Sequence, residues 1–500
     1  MSLIINTPDS YFEALKQSFT RSGHVSRPIY AFVQITTLFL FKDCFSLYAI
    51  YKLILWGIIG YLTSRIFDSN IKGVSKIFFL FFFSFPIFIS SHFFNSFQSG
   101  YLWAVLFWLL SMLWIEGSYK SHGLNNLKVS VLFLFLSLLS CEIVFPLFIL
   151  NVVYPLSEKG VKWHLKSRSN ALKKYFFAVF FVLISFAIFK IFVAPLYQTE
   201  EGIYGFSISF HSLLQSLYYF FCLFVEIPLL LIELIPFYFY SPLICISFLV
   251  FPVFIFLRKK EIVNNKSKHI FYVKSSKYLL IALFSCSFIF LFSQYPAVTY
   301  GNYNKMLLPS FIIICILFSN CLTKIFNSKY WIFVPCILSL WISSMLVQIE
   351  NTCKSWELRN KVSKEIVAKK DAFSKYDTKY ILCDVPYYLK SNYNDEHVFW
   401  TSWDFQAFIA YKGYHEQKIF LPYCHNTLIN PSIDSVNNIH NLMLDKEKAP
   451  CLNFQYSNIS FLKFYESFTL LKEQNKEVKK NHYFPCFRKR LRNKMKSVFI

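Results

Sequence analysis

Four groups of polar residues in this 500-residue chain have types suited to proton transfer and phosphate binding, and all lie beside long apolar runs. The first is the N-terminal stretch NTPDSYFEALKQSFTRSGHVSRPIY, with Asp9, Glu13, Arg21, His24 and Arg27. The second is His92 with Asn95 and Gln98 in SHFFNSFQSG. The third is Glu142 in SLLSCEIVFPLFIL, and the fourth is the loop SQYPAVTYGNYNKMLLPS, which brings Tyr300, Tyr303 and Lys305 to the start of an apolar run. Glu142 stands out, because nearly uncharged sequence extends for about a dozen residues on either side, and an ionisable group at membrane depth costs at least about 2.5 kcal/mol unless something compensates it. A carboxylate can accept the proton of an attacking hydroxyl. Lys or Arg can hold a phosphate and stabilise the charge that develops on it as it leaves. Carboxylates beside cations at a membrane face therefore suit sugar transfer from a lipid-linked phosphosugar, whose tail would lie in the bilayer beside the site.

The elements that must position these residues are membrane spans. The composition is 55% hydrophobic and 21% aromatic with only 16% charged residues, and the mean hydropathy is +0.42. Soluble domains carry roughly a quarter charged residues. Apolar runs at Phe45–Ser64, Tyr175–Val193, Ser241–Leu257, Tyr278–Phe292, Met306–Leu322 and Trp331–Val347 approach the roughly 20 residues that cross a bilayer. The net charge of +23 does not indicate nucleic acid, since much of it lies in short loops between apolar runs and no nucleic-acid-binding motif accompanies it. The 13 cysteines form no CxxC pair. Those in apolar runs read as small hydrophobes, whereas Cys353, Cys383, Cys424, Cys451 and Cys486 could form one or two disulfides on an extracytoplasmic side. No cofactor is implied, and a divalent metal has no support in the spacing, because Asp9 and Glu142 would have to meet in space to share one.

Lys- and Arg-rich loops at 65–76, 120–128, 159–174, 258–277 and 324–329 read as cytoplasmic, and the poorly basic loops 90–100, 195–211 and 293–304 as external. The fold class is then an α-helical polytopic membrane protein of about ten spans with a C-terminal extracytoplasmic α/β domain. Residues 1–42 form an outer N-terminal segment holding the candidate catalytic loop, 43–348 the transmembrane domain, and 349–500 an extracytoplasmic domain ending in a basic tail. The expected location is the cell (inner) membrane. Residues 129–154 would make one helix of roughly 39 Å. The charge rule instead favours two short helices meeting near Glu142 and Pro146, with Glu142 toward the outer face. Residues 211–236 then read as an interfacial helix, with Glu226 and Glu233 facing water or a groove. Beyond residue 350, β-like runs occur at Tyr380–Val385 and Lys418–Pro422.

An acidic residue in the first outer loop, followed by an Arg-Pro pair opening an interfacial segment, resembles the GT-C class of polyprenyl-phosphate-sugar glycosyltransferases. In this chain these are Asp9 and Arg27-Pro28. SLLSCE is similar to the second acidic position of the class, and NKMLLPS to the later segment where a cation precedes a span near the lipid phosphate. The resemblance extends over most of residues 7–350 as a pattern of spans. It implies a hexosyltransferase-like enzyme of the cell envelope, with Asp9 as general base and Glu142 as a second acid that orients substrate or base. Arg27 and Lys305 become phosphate ligands; His92 and Tyr303, read from their own loops, are the further candidates for binding substrate or phosphate. The partners it implies are a polyprenyl-phosphate-linked sugar, a glycan, lipid or protein acceptor, and membrane lipids. The class has a span ahead of its first outer loop, whereas this chain begins inside that loop.

Plain structural roles are also available: Asp9 as a helix N-cap, Arg27 as an interfacial anchor, Lys305 snorkelling to headgroups, and His92 as an interfacial hydrogen-bonding residue. Two alternative functions share the composition. A polysaccharide polymerase or ligase using lipid-diphosphate glycans would carry its large outer loop between spans rather than after the last one. A transporter or flippase would show inverted repeats and Gly- or Pro-broken helices, and the chain has 12 Gly and no visible repeat.

Overall fold

The computed structural model describes residues 11–21, 27–41, 45–67, 78–79, 82–83, 99–121, 124–157, 166–193, 209–235, 242–257, 270–292, 306–326 and 333–368, with short strands between 380 and 422. It opens with an amphipathic helix, α1 (Tyr11–Arg21), whose buried side carries Ala14 and Ser18. This side packs on α2 (Pro28–Phe41), where the Tyr11 hydroxyl and Thr36 Oγ1 are 2.9 Å apart. Next come α3 (Phe45–Phe67), α4 (Gly100–Ser121) and α5 (Leu124–Ser140), a 3-10 turn (Glu142–Leu147) and α6 (Phe148–Ser157). Helix α7 (Lys166–Ile188) ends in a π-turn (Phe189–Val193), and a second π-turn (Cys222–Glu226) joins α8 (Phe210–Phe221) to α9 (Ile227–Leu234). The bundle closes with α10 (Pro242–Leu257), α11 (Ile270–Ser285), α12 (Phe288–Phe292), α13 (Leu308–Phe326) and the 36-residue α14 (Phe333–Ala368).

Among the described residues, five helices are long and apolar enough to cross a membrane: Leu47–Phe67, Gly100–Gly117, Lys173–Val193, Ser212–Leu229 and Phe333–Glu350. Others are apolar but shorter, including Pro28–Phe41, Asn125–Ser140 and Leu308–Leu322. By length and composition this is an α-helical membrane protein. The run Tyr278–Phe292 is not one helix, because turn residues Cys286 and Ser287 separate α11 from α12. The stretch expected to lie at the interface, residues 211–236, is helical through Leu234 and contains one of the five long segments. Its Tyr219 hydroxyl donates to the Leu283 carbonyl at 2.9 Å and lies 2.8 Å from Ser310 Oγ, which fastens α8 to α11 and α13. Glu226 does not face water as expected: it is 1% exposed and accepts from the Cys222 thiol at 3.4 Å.

Side-chain hydroxyls are handled in two ways. Thr37, Thr63, Ser140, Ser285, Ser319 and Ser344 each donate to the carbonyl four residues back in their own helix. A second set ties helices together. Trp108 Nε1 donates to Asn151 Oδ1 at 2.8 Å, Asn151 Nδ2 donates to Ser111 Oγ at 2.8 Å, and Ser111 and Ser130 hydroxyls are 2.9 Å apart. Ser130 reaches the Tyr175 hydroxyl at 3.3 Å. This network joins α4, α5, α6 and α7.

The network also shows where the chain turns. Ser137 donates to the Ala104 carbonyl and Ser130 meets Ser111, so α5 runs antiparallel to α4. Asn151 of α6 then returns to Ser111 and Trp108, back at the level of Ser130. The chain therefore reverses at the 3-10 turn, forming the pair of short helices expected from the charges. The break itself is at Cys141, which is extended, and Pro146 keeps the residues after it out of a regular α-helix, since it has no N–H to give to the carbonyl of residue 142.

The chain divides into two compact units, with the division falling within α14 between Gln348 and Ile349. In the later unit, β1 (Tyr380–Cys383) pairs parallel with β4 (Ile419–Pro422), and β2 (Tyr388–Lys390) pairs antiparallel with β3 (Asp395–His397). The two β-like runs read from the sequence thus contain β1 and β4.

Candidate functional site

Three helix ends meet at Glu142. The first is the start of α2. Pro28 takes the opening helical position, where its missing N–H costs nothing, and the Arg27 carbonyl accepts the first helical bond from Ala31 N–H at 3.0 Å. The second is the end of α5, where Cys141 is extended (φ −165°, ψ 132°) and its N–H still donates to the Ser137 carbonyl at 3.1 Å. Glu142 follows as the first residue of the 3-10 turn, which packs against α4, α5, α11, α12 and α13. The third is the π-turn closing α7, which carries Lys190. Turns of this kind are rare and often accompany functional sites, because one extra residue redirects the side chains that follow.

Arg27 grips the carboxylate with two parallel donors: Nε donates to Oε2 at 2.8 Å, and Nη2 donates to Oε1. Lys190 Nζ lies 3.2 Å from Oε2. The arginine and lysine side chains are 6% and 10% exposed, and the carboxylate 20%. A ligand arriving at this cluster thus meets the acid more openly than either cation. A planar guanidinium on a carboxylate by a two-point grip fixes orientation as well as distance. Both oxygens of Glu142 are engaged, so giving up this arrangement to take a proton would leave two nearly buried cations facing each other. The geometry suits Glu142 for holding these two cations in place.

Of the residues expected at the site, the structure brings Arg27 and Glu142 into direct contact. Asp9, His92, Tyr303 and Lys305 lie outside the described residues. Met306 and Leu307, which follow Lys305, are buried, and the helix they lead into packs on the turn bearing Glu142.

Sequence reasoning missed Lys190. Its signal was the same as that of Glu142, a lone charge in an apolar run (FAIFKIFV), yet the run read as an ordinary span. Lys52 was missed for the same reason. It is 1% exposed within the segment Leu47–Phe67, and its ammonium lies 5.7 Å from the centre of the Tyr48 ring. Tyr51 adjoins it and accepts from Trp103 Nε1 at 2.5 Å. Among the described residues, no group of three or more His, Cys, Asp or Glu is placed to hold a metal ion.

No protein-family model, curated protein or solved structure matches this chain.

Proposed function

We propose that the chain is a membrane glycosyltransferase of the GT-C kind, moving a sugar from a polyprenyl-phosphate carrier to a glycan, lipid or protein acceptor at the outer membrane face. The observation that carries this reading is the convergence of Arg27 and Lys190 on Glu142, where three helix ends meet. Two cations held together at the end of apolar helices suit a phosphate whose lipid tail lies alongside those helices. Negative charge developing on a departing phosphate is stabilised by donors already in place. On this reading Glu142 fixes the two cations, the cluster of two cations to one carboxylate draws the phosphate by its net positive charge, and Asp9 takes the proton of the attacking hydroxyl. The shorter apolar helices supply the remaining crossings of a membrane domain of about ten spans, with the C-terminal domain on the outer side.

The test compares Arg27→Gln, Lys190→Gln and Asp9→Asn in cells, measuring glycan product, the lipid-linked sugar pool and the amount of protein in the membrane. Each substitution should abolish product per unit of protein in the membrane and leave undiminished donor. Full product from all three variants would sink the proposal.

A second reading, a transporter or flippase, draws on one observation. The chain is broken at Cys141 and reverses beside charged groups, as in transporters whose interrupted helices bind their substrate. Measuring which leaflet holds the accumulated donor in the same variants separates the two, because a flippase defect strands the donor in the inner leaflet, whereas a transferase defect leaves it in the outer one.

A further inference from the structure

The pairing of Arg27 with Glu142 depends on where α2 begins, and a close contact away from the charges lies within its first turn. Gly100 opens α4 immediately after the buried Ser99, whose carbonyl accepts from Leu102 and Trp103 at 3.0 and 3.2 Å. The Tyr30 ring lies directly on Gly100. A Cβ at that position would come within 2.5 Å of Tyr30 Cγ and 2.7 Å of Cε2, with Cδ2 closer still. The backbone of Gly100 does not require glycine, since its φ lies outside the left-handed region. The glycine is needed for space.

The ring cannot easily yield. Tyr30 is 3% exposed, and Cγ lies one bond from Cβ, so it can clear a new methyl group only by rotation about Cα–Cβ, which close packing around a buried ring resists, or by a shift of the helix backbone. Tyr30 sits three residues after Arg27, in the first turn of α2, whose opening bond is the one from Ala31 to the Arg27 carbonyl. A shift of that turn by even an ångström would spoil a two-point grip, which tolerates little error in angle or distance.

We infer that Gly100 and Tyr30 are positioning residues, a close-packed seat that sets the start of α2 and thereby aims Arg27 at Glu142. The inference rests on the pair itself and not on the transferase reading, so the two can fail separately.

The test is a double-mutant cycle read by thermal unfolding of the purified protein in detergent. Arg27→Gln, Glu142→Gln and the double variant are compared in the native background and again with Gly100→Ala. In the native background the drop in midpoint for the double variant should be clearly smaller than the sum of the two single drops. With Gly100→Ala the drops should become additive. Gly57→Ala serves as the control, because a Cβ there meets nothing within 4 Å, and it should leave the non-additivity intact. If Gly100→Ala does not fold, Tyr30→Ala carries the same test, since it removes the ring while keeping the glycine. Non-additivity that survives unchanged in whichever seat variant folds overturns the inference.

Discussion

The charged cluster at Glu142 and the neutral network around Ser111 are built from several of the same helices, yet by different means. Helix α5 contributes Ser130 to the network and then leads into Glu142, while α7 contributes Tyr175 and ends at Lys190. The network residues lie within regular helices, where antiparallel packing alone brings hydroxyl, amide and indole together. The charged residues all lie where the α-helix is interrupted: at the residue before α2, at the head of a 3-10 turn and inside a π-turn. Neutral polar groups can hold a bundle together without disturbing it. Bringing three charges into one place took three departures from regular helix, which is hard to account for by stability alone.

Three substitutions can break or sharpen that contrast. The largest effect should come from Glu142→Ala, which leaves Arg27 and Lys190 without the carboxylate between them. Removing one member of a buried ion pair costs about 3–5 kcal/mol, and denaturant unfolding in detergent should register a loss of that order, together with loss of the proposed sugar transfer. Asn151→Ala, which removes the partner of both Trp108 and Ser111, should cost about 1–2 kcal/mol in the same assay and leave the proposed transfer intact. Ser130→Ala should cost about 0.6 kcal/mol, an ordinary value for one hydrogen bond between helices in a membrane. If Asn151→Ala matched Glu142→Ala in both stability and activity, the division into structural network and functional cluster would fall.

Glu142 was legible because a lone acid between apolar runs has no ordinary place in lipid, and the reversal there was legible because the loop charges demanded it. Arg27 was legible as half of the Arg27-Pro28 pair that opens the first apolar segment, a pair that resembles the GT-C class. That the two share a face was legible from the loop charges; that they pair directly was not. They lie on separate elements, and neither periodicity nor charge records which helix ends converge. Lys190 carried a readable signal, but nothing local in FAIFKIFV shows that the helix widens into a π-turn and redirects the lysine. The division of Tyr278–Phe292 at Cys286 was hidden for a similar reason, since neither glycine nor proline marks it.

The hydroxyls bonded within their own helices bear on how the protein is made. Thr37, Thr63, Ser140, Ser285, Ser319 and Ser344 find their acceptor one turn back, so each is satisfied as soon as its helix forms. Such a helix can leave the translocation machinery for lipid with those groups already silent, before any neighbour has been synthesised. Ser130, Asn151 and Tyr175 wait for companions that emerge at different times, and Glu142 finds its two cations on other helices. The order of synthesis is therefore also an order of satisfaction, in which Glu142 meets Lys190 only after α7 has followed it into the membrane.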